Sequence, residues 1–278
     1  MQGVEYTNQD RWNRIGSLAK TDIANFPEKY IVESFPYPGP NYQMYDHLVE
    51  LLNPLEGKRI MEFGCGLGKV SVWLAKHGAK VTGVDLGSDL VQAARQIAKL
   101  NQATCDFLQG DITAGDLAAP NTFDVVIGLA VLHHLSVENL KRALRSCSLL
   151  LKPGGFALFC EPVENSPIFR QVQNLVPVGK NGAVRPSILQ RKAWKKYVST
   201  LDDRDLSNRE LTIAGENCFK AIRISSFGFL VRLEGLLGSS YRNMLLGVDR
   251  IIFRFLPPTK RYCQTVLAEY RKYTDAHK

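Results

Sequence analysis

The sequence predicts an α/β protein built on a mostly parallel sheet with helices on both faces. Two observations lead to this prediction: short apolar runs alternate with helical periodicities from residue 56 to 160, and a turn follows each run. With 278 residues, of which 45% are hydrophobic and 22% charged, the chain can bury one sizeable core. No internal repeat or low-complexity segment competes with this interpretation.

The elements follow one another in a regular order. Strands are predicted at 58–63, 80–84, 104–109, 123–128, 156–160, 219–225 and 264–272. Ser88 and Ser136 are predicted N-caps of two helices, because each precedes an amphipathic run. The KPGG turn at 152–155 is predicted to end the second helix before the fifth strand begins.

The chain divides into four parts around these elements. Residues 1–55 are predicted to form an N-terminal helical cap, and 56–162 the ligand-binding core. Residues 163–206 are interpreted as a substrate-capping insertion, because the stretch after the fifth strand is far longer than one crossover needs. Residues 207–278 complete the core and include an amphipathic helical insertion near 229–256.

The composition limits which cellular location and which kinds of partner are expected. The N-terminus has no basic stretch followed by an apolar run, so a cytoplasmic location is expected. Six dispersed cysteines without a C-x-x-C pair predict neither a disulfide framework nor a zinc site. The net charge of +8 fits nucleic acid, an acidic membrane or an anionic molecule, although a solvated helix face is the favoured interpretation. The oligomeric state is left open.

The stretch MEFGCGLGKV, at 61–70, places three glycines at alternate positions after the first strand. Such glycines let backbone N–H groups and a helix N-terminus approach a ligand closely. A dinucleotide fingerprint would need a glycine where the chain has Lys69, which disfavours a nicotinamide dehydrogenase. Glu62, two residues before the first glycine, suits a cationic or amine-bearing ligand.

Two more acids follow the next two predicted strands. Asp85 in VTGVDLG ends the second strand, where a carboxylate can accept both hydroxyls of a ribose. Asp111 in LQGDI ends the third strand, within reach of an adenine amino group. Because the carboxyl ends of parallel strands meet at one edge, the acids are expected to share one crevice.

In this order, MEFGCGLGKV, VTGVDLG, LQGD, FDVVIGLAVLHHL and LLKPGG resemble the motif series of class I S-adenosylmethionine-dependent methyltransferases, particularly their small-molecule branch. The resemblance implies a Rossmann-like seven-stranded sheet whose last strand is antiparallel, with S-adenosylmethionine as cofactor and S-adenosylhomocysteine as product. It also implies that the glycines line the methionine part, Asp85 holds the ribose and Asp111 the adenine amine. The predicted cofactor site comprises Glu62, Gly64, Cys65, Gly66, Gly68, Asp85, Leu86, Gly110, Asp111, Ile112, Leu129 and Ala130.

A histidine pair, His133 and His134, lies just beyond the fourth strand. Histidine titrates near neutral pH, so either residue is a candidate base for a protonated acceptor, with a structural role as the alternative. Some quinone-pathway members of the superfamily bind a metal through glutamates and a histidine of this loop. The corresponding residues here are Ala130 and His133, so no metal is predicted.

The acceptor is expected to be a small apolar or natural-product-like molecule of secondary metabolism, with O-methylation favoured over N- or C-methylation. The candidate acceptor-binding residues lie outside the motif series that resembles the family, and ordinary surface positions are the alternative. They are Tyr42, Tyr45, Glu161 and Asn165, with Trp12 among further N-terminal aromatics. The asparagine-proline-proline-tyrosine type of motif is absent after the fourth strand, so nucleic acid is not expected as a partner.

An amphipathic helix is predicted at 241–256, and it has two interpretations. Its apolar residues are Met244, Leu245, Val248, Ile251, Ile252 and Phe255, opposite Asn243, Gly247, Arg250 and Arg254. In one, it packs onto the fold or covers an apolar substrate; in the other, it contacts a membrane surface with help from its arginines.

Other function classes remain open at this point. A biosynthetic catalyst such as a cyclase could keep the fold and the cofactor pocket without transferring a methyl group, and the sequence does not separate it from a methyltransferase. A non-enzymatic membrane or nucleic-acid binding module is the interpretation that rests on charge alone.

Overall fold

The computed structural model describes residues 3–36, 42–164, 178–180, 183–185, 189–192, 206–233 and 238–274. Seven strands form one sheet in the order β3-β2-β1-β4-β5-β9-β8, and β6 and β7 form a separate hairpin. The strands are β1 (Arg59–Phe63), β2 (Lys80–Asp85), β3 (Cys105–Gln109), β4 (Phe123–Leu129), β5 (Leu151–Pro162), β6 (Val178–Lys180), β7 (Ala183–Arg185), β8 (Ala221–Phe227) and β9 (Thr265–Arg271). Most of the insertion predicted at 163–206 lies outside the described residues.

The direction of the strands confirms the predicted fold class. Strands β1 to β5 pair in parallel, whereas β9 lies antiparallel between β5 and β8. The sheet is therefore mostly parallel with an antiparallel final strand. The carboxyl ends of β1, β2, β3, β4 and β5 meet at one edge, where ligands bind in open α/β sheets.

Helices connect these strands. They are α1 (Gly3–Asn25), α2 (Tyr42–Leu52), α3 (Lys69–Lys76), α4 (Ser88–Leu100), α5 (Val137–Leu150), α6 (Asn208–Gly215) and α7 (Arg242–Phe255). Ser136 caps α5 as predicted, since its hydroxyl accepts from the Asn139 N–H. The N-cap of α4 is Gly87, and the predicted cap Ser88 is instead its first helical residue. No helix among the described residues is both long and apolar enough to cross a membrane.

The core lies on both faces of the sheet because strand residues alternate between them. Met61, Val126 and Phe159 pack on one face in a cluster that includes residues of α5 and α6. Their neighbours Ile60 and Val125 pack on the other face in a cluster that includes residues of α2 and α3. Both faces are thus covered, which explains the nearly continuous apolar runs of β1 and β4.

Strand β5 begins five residues earlier than predicted. It starts at Leu151, which pairs with Phe123, and the register then shifts before Val125 pairs with Phe156. The KPGG segment belongs to the strand and does not form the predicted turn, because Gly154, with φ of 75°, permits an irregularity that the strand absorbs.

Helix α1 packs across the start of α4. The two helices touch at Gly16, where a Cβ would lie 2.4 Å from the backbone of Asp89. Lys20 Nζ donates to Asp89 Oδ1 at 2.5 Å, and Ser88 Oγ donates to Asn13 Oδ1 at 3.2 Å. Since α4 follows directly on the turn after β2, α1 lies beside the ligand-binding edge of the sheet.

Candidate functional site

The loop after β1 takes the conformation that its glycines permit. Gly64, Gly66 and Gly68 have φ values of 63°, 51° and 67°, in the left-handed region that side chains rarely adopt. A Cβ at Gly66 would meet no atom within 4 Å, so open space adjoins this residue. A Cβ at Gly68 would lie 2.7 Å from the Phe107 ring, so close packing also requires a glycine there.

Asp85, at the end of β2, holds the neighbouring loops in place. Its Oδ2 accepts from the Gly66 N–H at 2.9 Å, and its Oδ1 accepts from the Gly87 N–H at 2.9 Å. Burial raises the pKa of the Asp85 carboxyl, while the backbone donors oppose that rise. Each oxygen keeps a second lone pair after these bonds, so the carboxylate retains acceptor capacity toward a diol.

Glu62 is buried beneath the glycine loop. Its Oε2 accepts from Ser71 Oγ at 2.5 Å, a contact with α3 that sequence reasoning missed. Burial, with a smaller contribution from the charge of Asp85, raises the pKa of Glu62 to about 8. The carboxyl is therefore mostly protonated at neutral pH, unless a cation approaches it.

The pKa of Glu62 predicts a pH-dependent stability. Because the folded pKa of about 8 lies above the ordinary value of 4.5 for a glutamate, the folded state binds more protons between these pH values. Stability from this group is present below pH 4.5 and is lost as pH rises through 8. Glu62→Gln keeps an acceptor for Ser71 without the titration. Between mildly acidic and mildly alkaline pH, we expect the free energy of unfolding of wild type to fall by roughly 3 kcal/mol relative to that of this variant.

The measurement is urea unfolding of both proteins across that range of pH. Ser71→Ala serves as a control, because it removes the hydrogen bond but leaves the titrating carboxyl. Parallel stability curves for wild type and Glu62→Gln would contradict the prediction.

The remaining predicted cofactor residues surround the same edge. Asp111 is exposed, and its Oδ1 accepts from the Thr113 N–H at 2.8 Å. Gly110 donates its N–H to the Asp85 carbonyl at 3.0 Å, and Ile112 is buried. Cys65 is buried and Leu86 half-buried in the loops after β1 and β2. The structure thus brings the predicted residues of β1, β2 and β3 to one edge.

The loop after β4 lies against the glycine loop. Leu129 is buried at the end of the strand, and Ala130 follows with a positive φ of 55°. A Cβ at Gly64 would lie 2.6 Å from Val131 Cγ2, so only a glycine allows the two loops to approach. The histidine pair that follows Val131 is thereby held beside the first-strand loop.

Glu161, at the end of β5, organises the loop after β4. It is fully buried, with an exposed fraction of 0%. Its Oε1 accepts from the N–H groups of Val131 at 3.0 Å and Leu132 at 2.8 Å, and its Oε2 accepts from the His133 N–H at 3.3 Å. The interpretation of Glu161 as a substrate-facing residue is therefore corrected: the carboxylate serves the backbone of the loop.

The two histidines differ in their surroundings. His133 is buried, and its Nδ1 lies 2.8 Å from Glu161 Oε2. A carboxylate can only accept here, so Nδ1 carries the proton and Nε2 is the basic atom of the neutral ring. His134 is half-buried, and its ring meets the Trp12 ring of α1 edge-on with centroids 5.3 Å apart. Trp12 thus connects α1 with the loop after β4.

The remaining substrate candidates lie in different places. Tyr42 is the first residue of α2, and Asn165 lies outside the described residues. The Tyr45 ring packs against Phe35, with centroids 5.6 Å apart, and Phe35 packs in turn on Trp73. The structure therefore places Tyr45 in an aromatic cluster and does not bring it to the histidine pair by any described contact.

The sheet order and the glycine loop at its carboxyl edge define the class, a Rossmann-like α/β protein. A model of the family described as "Methyltransferase domain" matches residues 60–155. A ubiquinone biosynthesis O-methyltransferase of Coxiella burnetii is 30% identical over 205 residues, which are 70% of this chain and 79% of the relative. The Vibrio cholerae protein of that name is 33% identical over 154 residues, 52% of this chain, and the match spans only 62% of that relative.

Solved structures share the fold. Magnesium protoporphyrin IX methyltransferase from Synechocystis PCC 6803, with bound SAH, matches with a TM-score of 0.56 at 19% identity, covering 97% of this chain and 99% of that one. A SAM-dependent methyltransferase from Archaeoglobus fulgidus matches with a TM-score of 0.54 at 14% identity, covering 84% and 95%. The chain belongs to the class I S-adenosylmethionine-dependent methyltransferases, and its cofactor is S-adenosylmethionine.

Proposed function

We propose that this chain transfers a methyl group to a hydroxyl oxygen of a small, largely apolar acceptor. Relatives at about 30% identity carry the name ubiquinone biosynthesis O-methyltransferase, which supports an oxygen acceptor. The observation that carries the proposal is the hydrogen bond of 2.8 Å between His133 Nδ1 and Glu161, in the loop whose Val131 packs against Gly64. A base oriented in this way suits an acceptor that arrives protonated.

The residues present fit the cofactor. The open space at Gly66 admits a ligand against the backbone, and Asp85 offers acceptor oxygens for a ribose diol. Asp111 is exposed and can accept from an adenine amine, while Glu62 can ionise against a cation.

When bound, S-adenosylmethionine supplies an activated methyl group. His133 takes the proton of the acceptor hydroxyl at Nε2, and Glu161 stabilises the resulting imidazolium.

Asp85→Ala is expected to weaken binding of S-adenosylhomocysteine by about tenfold to a hundredfold. The variant loses a charge-assisted contact to the ribose, an effect on the order of 1.5–3 kcal/mol. Isothermal titration calorimetry measures it, with Asp106→Ala, which removes an exposed carboxylate of β3, as the matched control. Equal affinity of wild type and a well-folded Asp85→Ala protein would contradict the assignment.

Mass spectrometry tests the activity itself. Purified protein, S-adenosylmethionine and a panel of alkylated phenols and catechols should yield S-adenosylhomocysteine and an acceptor heavier by one methylene unit. The same mixture without protein is the control for spontaneous methylation. A converted acceptor of unchanged mass would favour the cyclase class instead, and no conversion of any oxygen acceptor would count against O-methylation.

A further inference from the structure

Helix α7 presents an apolar stripe to the outside of the molecule. The spacing of four, three and four residues places its members on one face of the helix. The stripe consists of Met244, Val248, Ile251 and Phe255, which are 55%, 37%, 59% and 71% exposed. The buried residues Leu245 and Leu246 lie beside the stripe.

Contacts on the inner face of α7 fix the stripe in its outward position. The Asp249 carboxylate is buried and accepts from the N–H groups of Phe229, Leu230 and Val231 at 2.9, 2.6 and 3.2 Å. Leu245 and Leu246 pack in a cluster with Val231. Turning α7 to bury the stripe would break these hydrogen bonds and expose the cluster, so the outward orientation is stable.

The charges exposed on α7 are positive. Arg250 and Arg254 are exposed, whereas the one acid of the helix, Asp249, is buried against backbone donors. Both arginines border a cavity of about 760 Å³ that Asp46 and Glu50 of α2 also line. An apolar stripe flanked by exposed arginines is the pattern of helices that lie in the interface of an anionic bilayer.

Helix α7 is connected to the sheet at the same edge that carries the cofactor-binding loops. Thr265, at the start of β9, pairs with Pro162 at the end of β5 and with Phe227 at the end of β8. The ends of β5 and β8 therefore lie at the same edge of the sheet. Helix α7 leaves and rejoins the sheet there, since it lies in the chain between Phe227 and Thr265.

We propose that α7 docks this protein on an anionic lipid surface. The stripe enters the apolar boundary of the bilayer, and Arg250 and Arg254 meet the acidic headgroups. A second copy of the chain is a poorer occupant, because a symmetric contact along the stripe would bring the arginines of both copies together. A lipid surface instead offers opposite charge over the whole area of the helix.

Co-sedimentation with vesicles tests the proposal. The probes are vesicles of phosphatidylglycerol and phosphatidylcholine in equal parts, compared with vesicles of phosphatidylcholine alone. We expect wild type to bind the anionic vesicles in a salt-sensitive way, and Ile251→Asp/Phe255→Asp to reduce the partition coefficient by about tenfold or more. Arg250→Glu/Arg254→Glu is expected to cause a reduction of about tenfold on the anionic vesicles alone.

Leu149→Asp is the matched control for the apolar substitutions. Leu149 is 47% exposed on α5, but it lies beside the amino end of β5, at the opposite edge of the sheet. This variant should bind vesicles as wild type does. Binding of S-adenosylhomocysteine, measured for all variants, reports that the core is folded independently of any activity.

Three results would overturn the proposal. The first is the absence of wild-type binding to anionic vesicles. The second is undiminished binding by folded Ile251→Asp/Phe255→Asp protein. The third is a wild-type dimer, detected by light scattering, that these two substitutions dissociate, since the stripe would then be an interface between copies of the chain.

Discussion

Alanine in place of Glu161 is expected to lower the free energy of unfolding by about 3–5 kcal/mol. The carboxylate is fully buried and accepts from three consecutive backbone N–H groups and from the His133 ring. Without it, these donors are left without an acceptor in a space that the missing side chain once filled. Urea unfolding monitored by circular dichroism measures the loss.

Two variants separate this effect from a general loss of a glutamate. Glu161→Gln keeps one acceptor oxygen for the N–H groups of Val131 and Leu132, so a smaller loss is expected. Glu216→Ala removes an exposed carboxylate just after α6 and should leave stability within about 0.5 kcal/mol of wild type. A loss below about 1 kcal/mol for Glu161→Ala would contradict the assigned role.

His133→Asn is expected to lower kcat by about a hundredfold or more once an acceptor is known. Asparagine can still donate to Glu161 from its amide, but it has no basic atom to take the place of His133 Nε2. Binding of S-adenosylhomocysteine and thermal unfolding should stay close to wild type, because the hydrogen bond that orders the loop is retained. Steady-state kinetics at saturating cofactor measures kcat.

The matched control is His134→Asn, the same substitution one residue along the chain. His134 packs on Trp12, and no described contact joins it to Glu161, so we expect kcat within about threefold of wild type. A full rate for His133→Asn would assign His133 a structural role. A large loss for His134→Asn alone would transfer the role of base to that residue.

The strands and the order of the motifs could be predicted because their information is local. Buried strands such as β1 and β4 are short apolar runs bounded by turns, and the acids Asp85 and Asp111 follow such runs directly. The early start of β5 was missed because the pairing of Leu151 with Phe123 depends on a neighbour far along the chain. A glycine pair within a strand looks locally like a turn.

The role of Glu161 was not accessible from the sequence. Three of its partners are backbone N–H groups about thirty positions away, and a backbone donor has no residue type that a pattern could reveal. For a related reason, the sequence left open whether the apolar face of α7 packs inward or meets a membrane. The apolar residues of α7 cover a wide arc of the helix, so periodicity alone does not tell which part of that arc packs inward. The buried carboxylate of Asp249 determines the orientation, because it accepts from the N–H groups of 229–231.

The close contact at Gly16 also fixes how far α1 can slide along its own axis. Every residue one turn away, such as Trp12 or Lys20, carries a side chain that would collide with the backbone of Asp89. Only one axial position of the helix is therefore allowed, and in that position Trp12 reaches His134. Inserting or deleting a single residue between 12 and 16 would rotate Trp12 away from the loop while leaving the crossing point unchanged.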